Sequence, residues 1–220
     1  MATIKKSYRP AQLHAISQDV NDDITLTLGD GRGADELVLS AKSNVDNKIL
    51  NTKNIGTVST EVGITVEEQG DGVNHVSKIT IAAPTVFPAI AGGASLGVGL
   101  LLYTFPAGVI SVKATAVNIT LDEVDGNITA DVPEVSVGNV IVVGAVATMT
   151  TATWENLSNG APAAADCNGT ATVRTVATSL IIETGDSHAV YLNIADGWAA
   201  SGEGALPVTG TVTIEWTFLS

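Results

Sequence analysis

Near the C-terminus, Thr209 to Phe218 reads T-G-T-V-T-I-E-W-T-F. In an extended chain Val212, Ile214, Trp216 and Phe218 fall on one side, and Thr211, Thr213, Glu215 and Thr217 on the other. An unbroken period of two in β-branched and aromatic residues fits a strand with one buried and one wet face. A single such strand is not stable alone, so the rest of the chain has to supply its partners.

It has the material to do so. Apolar residues make up 45% of the 220, but aromatics only 4%, so the core is expected to be built from Val, Ile, Leu and Ala. No long stretch repeats at helical spacing, and glycine-containing turn signals recur at short intervals, which points to an all-β chain. The chain from Leu100 onward carries seven or eight such segments. The expectation is a β-sandwich or jelly-roll domain over 96–220. Ahead of it, 21–95 is read as a smaller β region with a Gly-rich connector, and 1–20 as an extended arm.

Two hairpins are expected in the smaller region. Ile24, Leu26 and Leu28 turn through Gly29–Gly33 into Glu36–Ser40; Val62, Ile64 and Val66 turn through Glu67–Gly72 into Val76–Ala82. Together they suggest a small N-terminal sheet. Within the arm, A-Q-L-H-A-I-S-Q has some helical character. In the main domain, Ile110, Val112, Ala114 and Ala116 share one phase, and Val117, Ile119 and Leu121 the other. That flip within one strand predicts a β-bulge or a bend between sheets.

Charge narrows the partners. Net charge is −13, and residues 114–220 hold twelve acidic groups against one basic residue, Arg174. Such a surface repels a phosphate backbone, so no nucleic-acid partner is expected there. Lys5, Lys6 and Arg9 precede every acidic residue, which makes the arm a basic segment suited to an acidic partner or a neighbouring subunit. The uncharged run between Lys78 and Lys113 is long enough to span a bilayer, but Pro84, Pro88 and Pro106 argue against a helix, so no membrane partner is expected. No signal peptide is read at the start.

Few residues invite chemistry. His14, His75 and His188 are far apart in sequence, and although Asp186 and Ser187 adjoin His188, neighbouring strand residues face opposite ways. The lone Cys167 supports neither a disulfide nor a zinc site. Gly29–Gly33 lacks the G-K-[ST] of a phosphate loop. The best metal candidates are Asp122, Asp125 and Asp131 on an acidic loop, a weak calcium pattern without the closing Glu of a full binding loop. Trp154 and Trp198 lie in or near loops and are candidates for stacking on sugars. No catalytic residue and no cofactor are expected.

Five runs carry a resemblance: L-L-Y-T-F-P-A-G-V-I-S-V-K, D-G-N-I-T-A-D-V-P-E-V-S-V-G, A-A-D-C-N-G-T-A-T-V-R-T-V, H-A-V-Y-L-N-I-A-D-G-W and T-G-T-V-T-I-E-W-T. Together, over about residues 96–220, the chain resembles tailed-bacteriophage virion structural proteins of the capsid decoration (cement) and minor head type. The resemblance implies a non-enzymatic β-sandwich or jelly-roll on the outer capsid surface. It implies bridging of neighbouring subunits of the major capsid protein lattice and self-association, trimer ahead of dimer. Lys5, Lys6 and Arg9 are the expected partner-binding residues. A tail, neck or head-fibre protein, or a carbohydrate-binding module, are the alternatives.

Overall fold

The computed structural model describes residues 15–18, 23–28, 35–40, 56–70, 73–123, 132–162, 168–196 and 206–219. The strands are β1 (Ala15–Gln18), β2 (Asp23–Leu28), β3 (Asp35–Ser40), β4 (Thr57–Val58), β5 (Ile64–Gly70), β6 (Asn74–Ile81) and β7 (Val86–Phe87). They continue as β8 (Gly97–Thr104), β9 (Ile110–Asp122), β10 (Glu134–Gly138), β11 (Ser158–Pro162), β12 (Asn168–Ile182), β13 (Ala189–Ala195) and β14 (Leu206–Phe218). A single 3-10 turn, Ala152–Trp154, interrupts this all-β order among the described residues.

The alternating C-terminal segment becomes β14, the middle strand of its sheet. It pairs antiparallel with β9 along one edge and with β6 along the other, in the order β12-β9-β14-β6-β5, and β7 adds to its start. A second antiparallel sheet runs β11-β10-β13-β8-β4. The two sheets pack as a sandwich, with inward residues of both in one core. Val212, Ile214 and Trp216 are buried there as the alternation predicts, while Phe218 is half-buried against its margin. Each large apolar side chain so buried contributes about 1.5–3 kcal/mol.

The chain divides into two compact units, Met1–Lys48 and Ile49–Ser220. The first contains the antiparallel sheet β1-β2-β3, so Ala15–Gln18 of the arm is a strand rather than helical. The second is the sandwich. The hairpin β5–β6, grouped with the N-terminal region in the sequence reading, does not share a sheet with the hairpin β2–β3. It is hydrogen-bonded into the sandwich through the β6–β14 register, Thr80 opposite Thr211 and His75 opposite Trp216. Ile64, Ile79 and Ile81 are buried in the common core, and that burial is what draws the hairpin in. The uncharged run after Lys78 supplies the end of β6, then β7, β8 and the start of β9. No helix among the described residues is long and apolar enough to cross a membrane.

The phase flip in β9 is a bulge. Val112 lies opposite Trp216 and Ala114 opposite Glu215, which leaves Lys113 as the extra residue; the β12 register breaks at the same point. The alternation then restarts with Thr115 inward, fully buried, ahead of Val117, Ile119 and Leu121. The flip thus precedes the expected place, and Ala114 and Ala116 belong to the outer phase. Alanine is too small for its identity to reveal its face, which is why the sequence placed the flip late.

The second sheet is covered on its outer side as well. The segment 139–157 lies across β8, β10 and β13, and the fully buried Asn193 side chain holds it. Asn193 Nδ2 donates to the carbonyls of Val140 (3.1 Å) and Trp154 (2.8 Å), and its Oδ1 accepts from the Val142 amide (3.1 Å). Val142, Met149 and Ala195 form a second small core beneath it. Gly97 and Gly99 make the approach possible: a Cβ on Gly97 would sit 2.6 Å from Val142 Cγ2, and one on Gly99 2.5 Å from Ile141 Cγ1.

Candidate functional site

One group of inward polar residues sits among the aromatic side chains of the main core. The inward phase of β5 runs Ile64, Val66, Glu68, and that of β6 runs His75, Ser77, Ile79, Ile81. Glu68 and His75 are therefore carried inward by the same alternation that buries the isoleucines. Glu68 Oε1 lies 3.3 Å from His75 Nδ1, and Glu68 Oε2 accepts a 2.9 Å hydrogen bond from the Tyr103 hydroxyl of β8 in the facing sheet. That hydroxyl in turn accepts from the Gly56 amide at 2.9 Å. The His75 ring stacks on Trp216 at 4.0 Å, Trp216 Nε1 donates to Ser77 Oγ at 2.8 Å, and Phe105 meets both Tyr103 and Trp216 edge-on. Burial, and then the Glu68 carboxylate, push the Tyr103 phenol far above its ordinary range. His75 Nε2 has no hydrogen-bond partner among the described residues. The cluster ties the two sheets and fixes the stacked rings.

The opposite, outer face of the same sheet is mostly polar and rich in threonine. One cross-strand row reads Thr65–Thr80–Thr211–Asn118, and the next Glu67–Lys78–Thr213–Ala116. At the far corner Thr209 lies opposite Thr120, whose hydroxyl is 2.8 Å from that of Thr170. At the bulge end the face dips into a cleft of about 310 Å³. Its wall includes Gln69, Asn74, Val76, Lys113, Glu215 and Thr217.

The residues singled out in the sequence are scattered. Lys5, Lys6, Arg9, His14, Asp125, Asp131, Cys167 and Trp198 lie outside the described residues. Asp122 is exposed at the end of β9, and no group of three metal-ligand side chains forms among the described residues. His188, Ser187 and Asp186 form no relay, because each serves its own turn. The two His188 ring nitrogens lie 3.0 Å and 2.8 Å from the carbonyls of Asp186 and Gly108, and Asp186 Oδ2 accepts from the Glu183 amide. Trp154 is half-buried on the small core under 139–157. Sequence reasoning missed the Glu68–His75–Trp216 assembly. Its signal was available in the alternation, which places a carboxylate and an imidazole on inward positions of adjacent strands.

The two units differ in charge. Residues 1–48 hold six basic and seven acidic side chains, whereas 49–220 hold four and sixteen. The chain matches no protein-family model and no curated protein sequence.

Proposed function

We propose that this chain is a non-enzymatic virion structural protein that decorates and stabilises a bacteriophage capsid by bridging neighbouring major-capsid subunits. The observation that carries the reading is the partition of charge between the two units. A near-neutral N-terminal unit holds six of the ten basic residues, including Lys5, Lys6 and Arg9, and precedes a sandwich with a large acidic excess. Sandwiches of like charge repel one another. The N-terminal unit is then the contact with the lattice and with sister copies, in trimers ahead of dimers, and the sandwich is the part displayed. Many copies on one lattice gain avidity, and binding the assembled shell alone stabilises it by linkage. The resemblance of residues 96–220 to decoration proteins supports the same reading, as does the all-β sandwich.

The test is co-sedimentation of the full-length chain with assembled phage heads that lack it. Saturable occupancy is expected. The triple variant Lys5→Glu, Lys6→Glu, Arg9→Glu is expected to lower apparent affinity by about tenfold or more. Absence of head binding, or unchanged affinity in the triple variant, refutes the assignment of the arm. Light scattering on the free chain reads the trimer directly.

A further inference from the structure

The sheet β12-β9-β14-β6-β5 ends on β5, and no strand pairs with the far side of β5 among the described residues. The register fixes what that edge presents. The Ala82 amide donates to the Gly63 carbonyl opposite it at 2.9 Å, so by antiparallel alternation Thr65, Glu67 and Gln69 exchange their backbone hydrogen bonds with β6. The amides and carbonyls of Val66, Glu68 and Gly70 therefore point away from β6, along an open edge. Such an edge is a template for one more strand, and its charge selects which. Residues 61–71 hold Glu61, Glu67, Glu68 and Asp71 and no basic residue. Glu67 is exposed, with Lys78 opposite it on β6. A second β5 laid on this edge would bring like charges together, which disfavours edge-to-edge pairing of two sandwiches. A basic strand meets no such penalty.

We propose that residues 4–9 of a second copy of this chain dock antiparallel on β5 as an added strand. This rests on the reading of the arm as a contact between sister copies. Residues 4–9 lie outside the described residues, and it is their sequence, I-K-K-S-Y-R, that matches the edge. Residues 1–9 hold Lys5, Lys6 and Arg9 and no acidic residue. In an extended chain Lys5, Ser7 and Arg9 share one side and Ile4, Lys6 and Tyr8 the other. The segment is about as long as β5, and Pro10, which has no amide hydrogen, ends the ladder. Laid with Tyr8 opposite Val66, the arm puts Lys6 opposite Glu68 and Ile4 opposite Gly70. The pairs that exchange backbone bonds are then the ones that the edge leaves open. On the outer face Lys5 and Arg9 flank Glu67 diagonally, with Ser7 opposite it. Each copy has one arm and one β5, so the contact is head-to-tail and closes as a ring of copies.

The test is light scattering of the full-length chain across a range of concentrations, with charge-swapped variants. The wild-type chain is expected to self-associate. Its dissociation constant is expected to rise about tenfold or more in Glu67→Lys, and likewise in the double variant Lys5→Glu, Arg9→Glu. An equimolar mixture of those two variants is expected to regain association, because the reversed arm of one fits the reversed edge of the other. Misfolding cannot mimic that recovery. Val66→Pro removes an outward amide and no bond to β6, so it is expected to abolish association in a chain that still melts cooperatively. The proposal is overturned by a wild type that stays monomeric at about 100 µM. It is equally overturned by undiminished association in both charge variants, by a mixture no stronger than either variant alone, or by a cooperatively melting Val66→Pro chain that associates like wild type. Co-sedimentation with heads is scored separately. A chain that binds heads but stays monomeric overturns this inference alone, and one that self-associates through β5 but ignores heads overturns only the head-binding reading.

Discussion

Replacing Tyr103 by Phe removes one oxygen that bridges the two sheets, and the structure gives the cost two separable parts. The ring is fully buried, and its hydroxyl bridges the Gly56 amide and Glu68 Oε2, both at 2.9 Å. Loss of the hydroxyl leaves a backbone donor and a carboxylate oxygen short of a partner at once. One fully buried group so orphaned costs about 1–3 kcal/mol; Gly56 and Glu68 are only partly buried, so about 1–3 kcal/mol for the two together is expected near neutral pH. For a sandwich of this size that corresponds to a drop in melting temperature of very roughly 2–12 °C. The second part is a pH dependence. Burial and the Glu68 carboxylate raise the Tyr103 pKa in the folded state, whereas in the unfolded chain it titrates near its ordinary value of about 10. The unfolded state therefore loses this proton first. The neutral phenol's contribution is fully present below about pH 10 and declines above it, by about 1.4 kcal/mol at about pH 11. The Phe variant lacks this decline. Urea unfolding followed by tryptophan fluorescence, from neutral pH to about pH 11, measures both parts. The difference between the two proteins should be largest at neutral pH and shrink on the alkaline side. A loss below about 0.5 kcal/mol, or a difference that stays constant across the alkaline range, refutes the bridging role of the hydroxyl.

Three further outcomes follow from the packing. Asn193→Ala removes three hydrogen bonds that hold 139–157 and should cost about 3 kcal/mol, with limited proteolysis opening that segment before the rest of the sandwich. Gly210→Ala should cost at least about 2 kcal/mol in urea unfolding, because φ is +136° there and a Cβ would sit 2.1 Å from the Asn118 carbonyl oxygen. Deletion of Lys113 should leave a cooperative thermal melt, since it brings Val112 and Thr115 into one continuous alternation. Deletion of Asn118 should abolish the melt, since it turns the buried Ile119 and Leu121 outward or forces everything before them to flip. Equal tolerance of both deletions would refute the bulge as the device that sets the phase of β9.

The alternation in Thr209–Phe218 determined both the existence of β14 and the side of it that is buried. A strand with one wet face obeys a local rule: side chains two apart share an environment. The same rule determined the hairpin strands β2–β3 and β5–β6, the flip within β9 and the all-β class. It also contained, unread, the inward positions of Glu68 and His75. Which strands share a sheet was decided only by the tertiary structure. The period of two says nothing about a partner, and the burial of Ile64, Ile79 and Ile81 in the common core is what lays the β5–β6 hairpin beside β14. The Tyr103–Glu68–His75–Trp216 assembly is likewise tertiary, because it joins residues from four strands of two sheets. So is the cleft, whose walls come from β5, β6, β9 and β14. Local pattern determines which way a side chain faces. What it faces depends on which other surfaces need burying, and no stretch of sequence carries that alone.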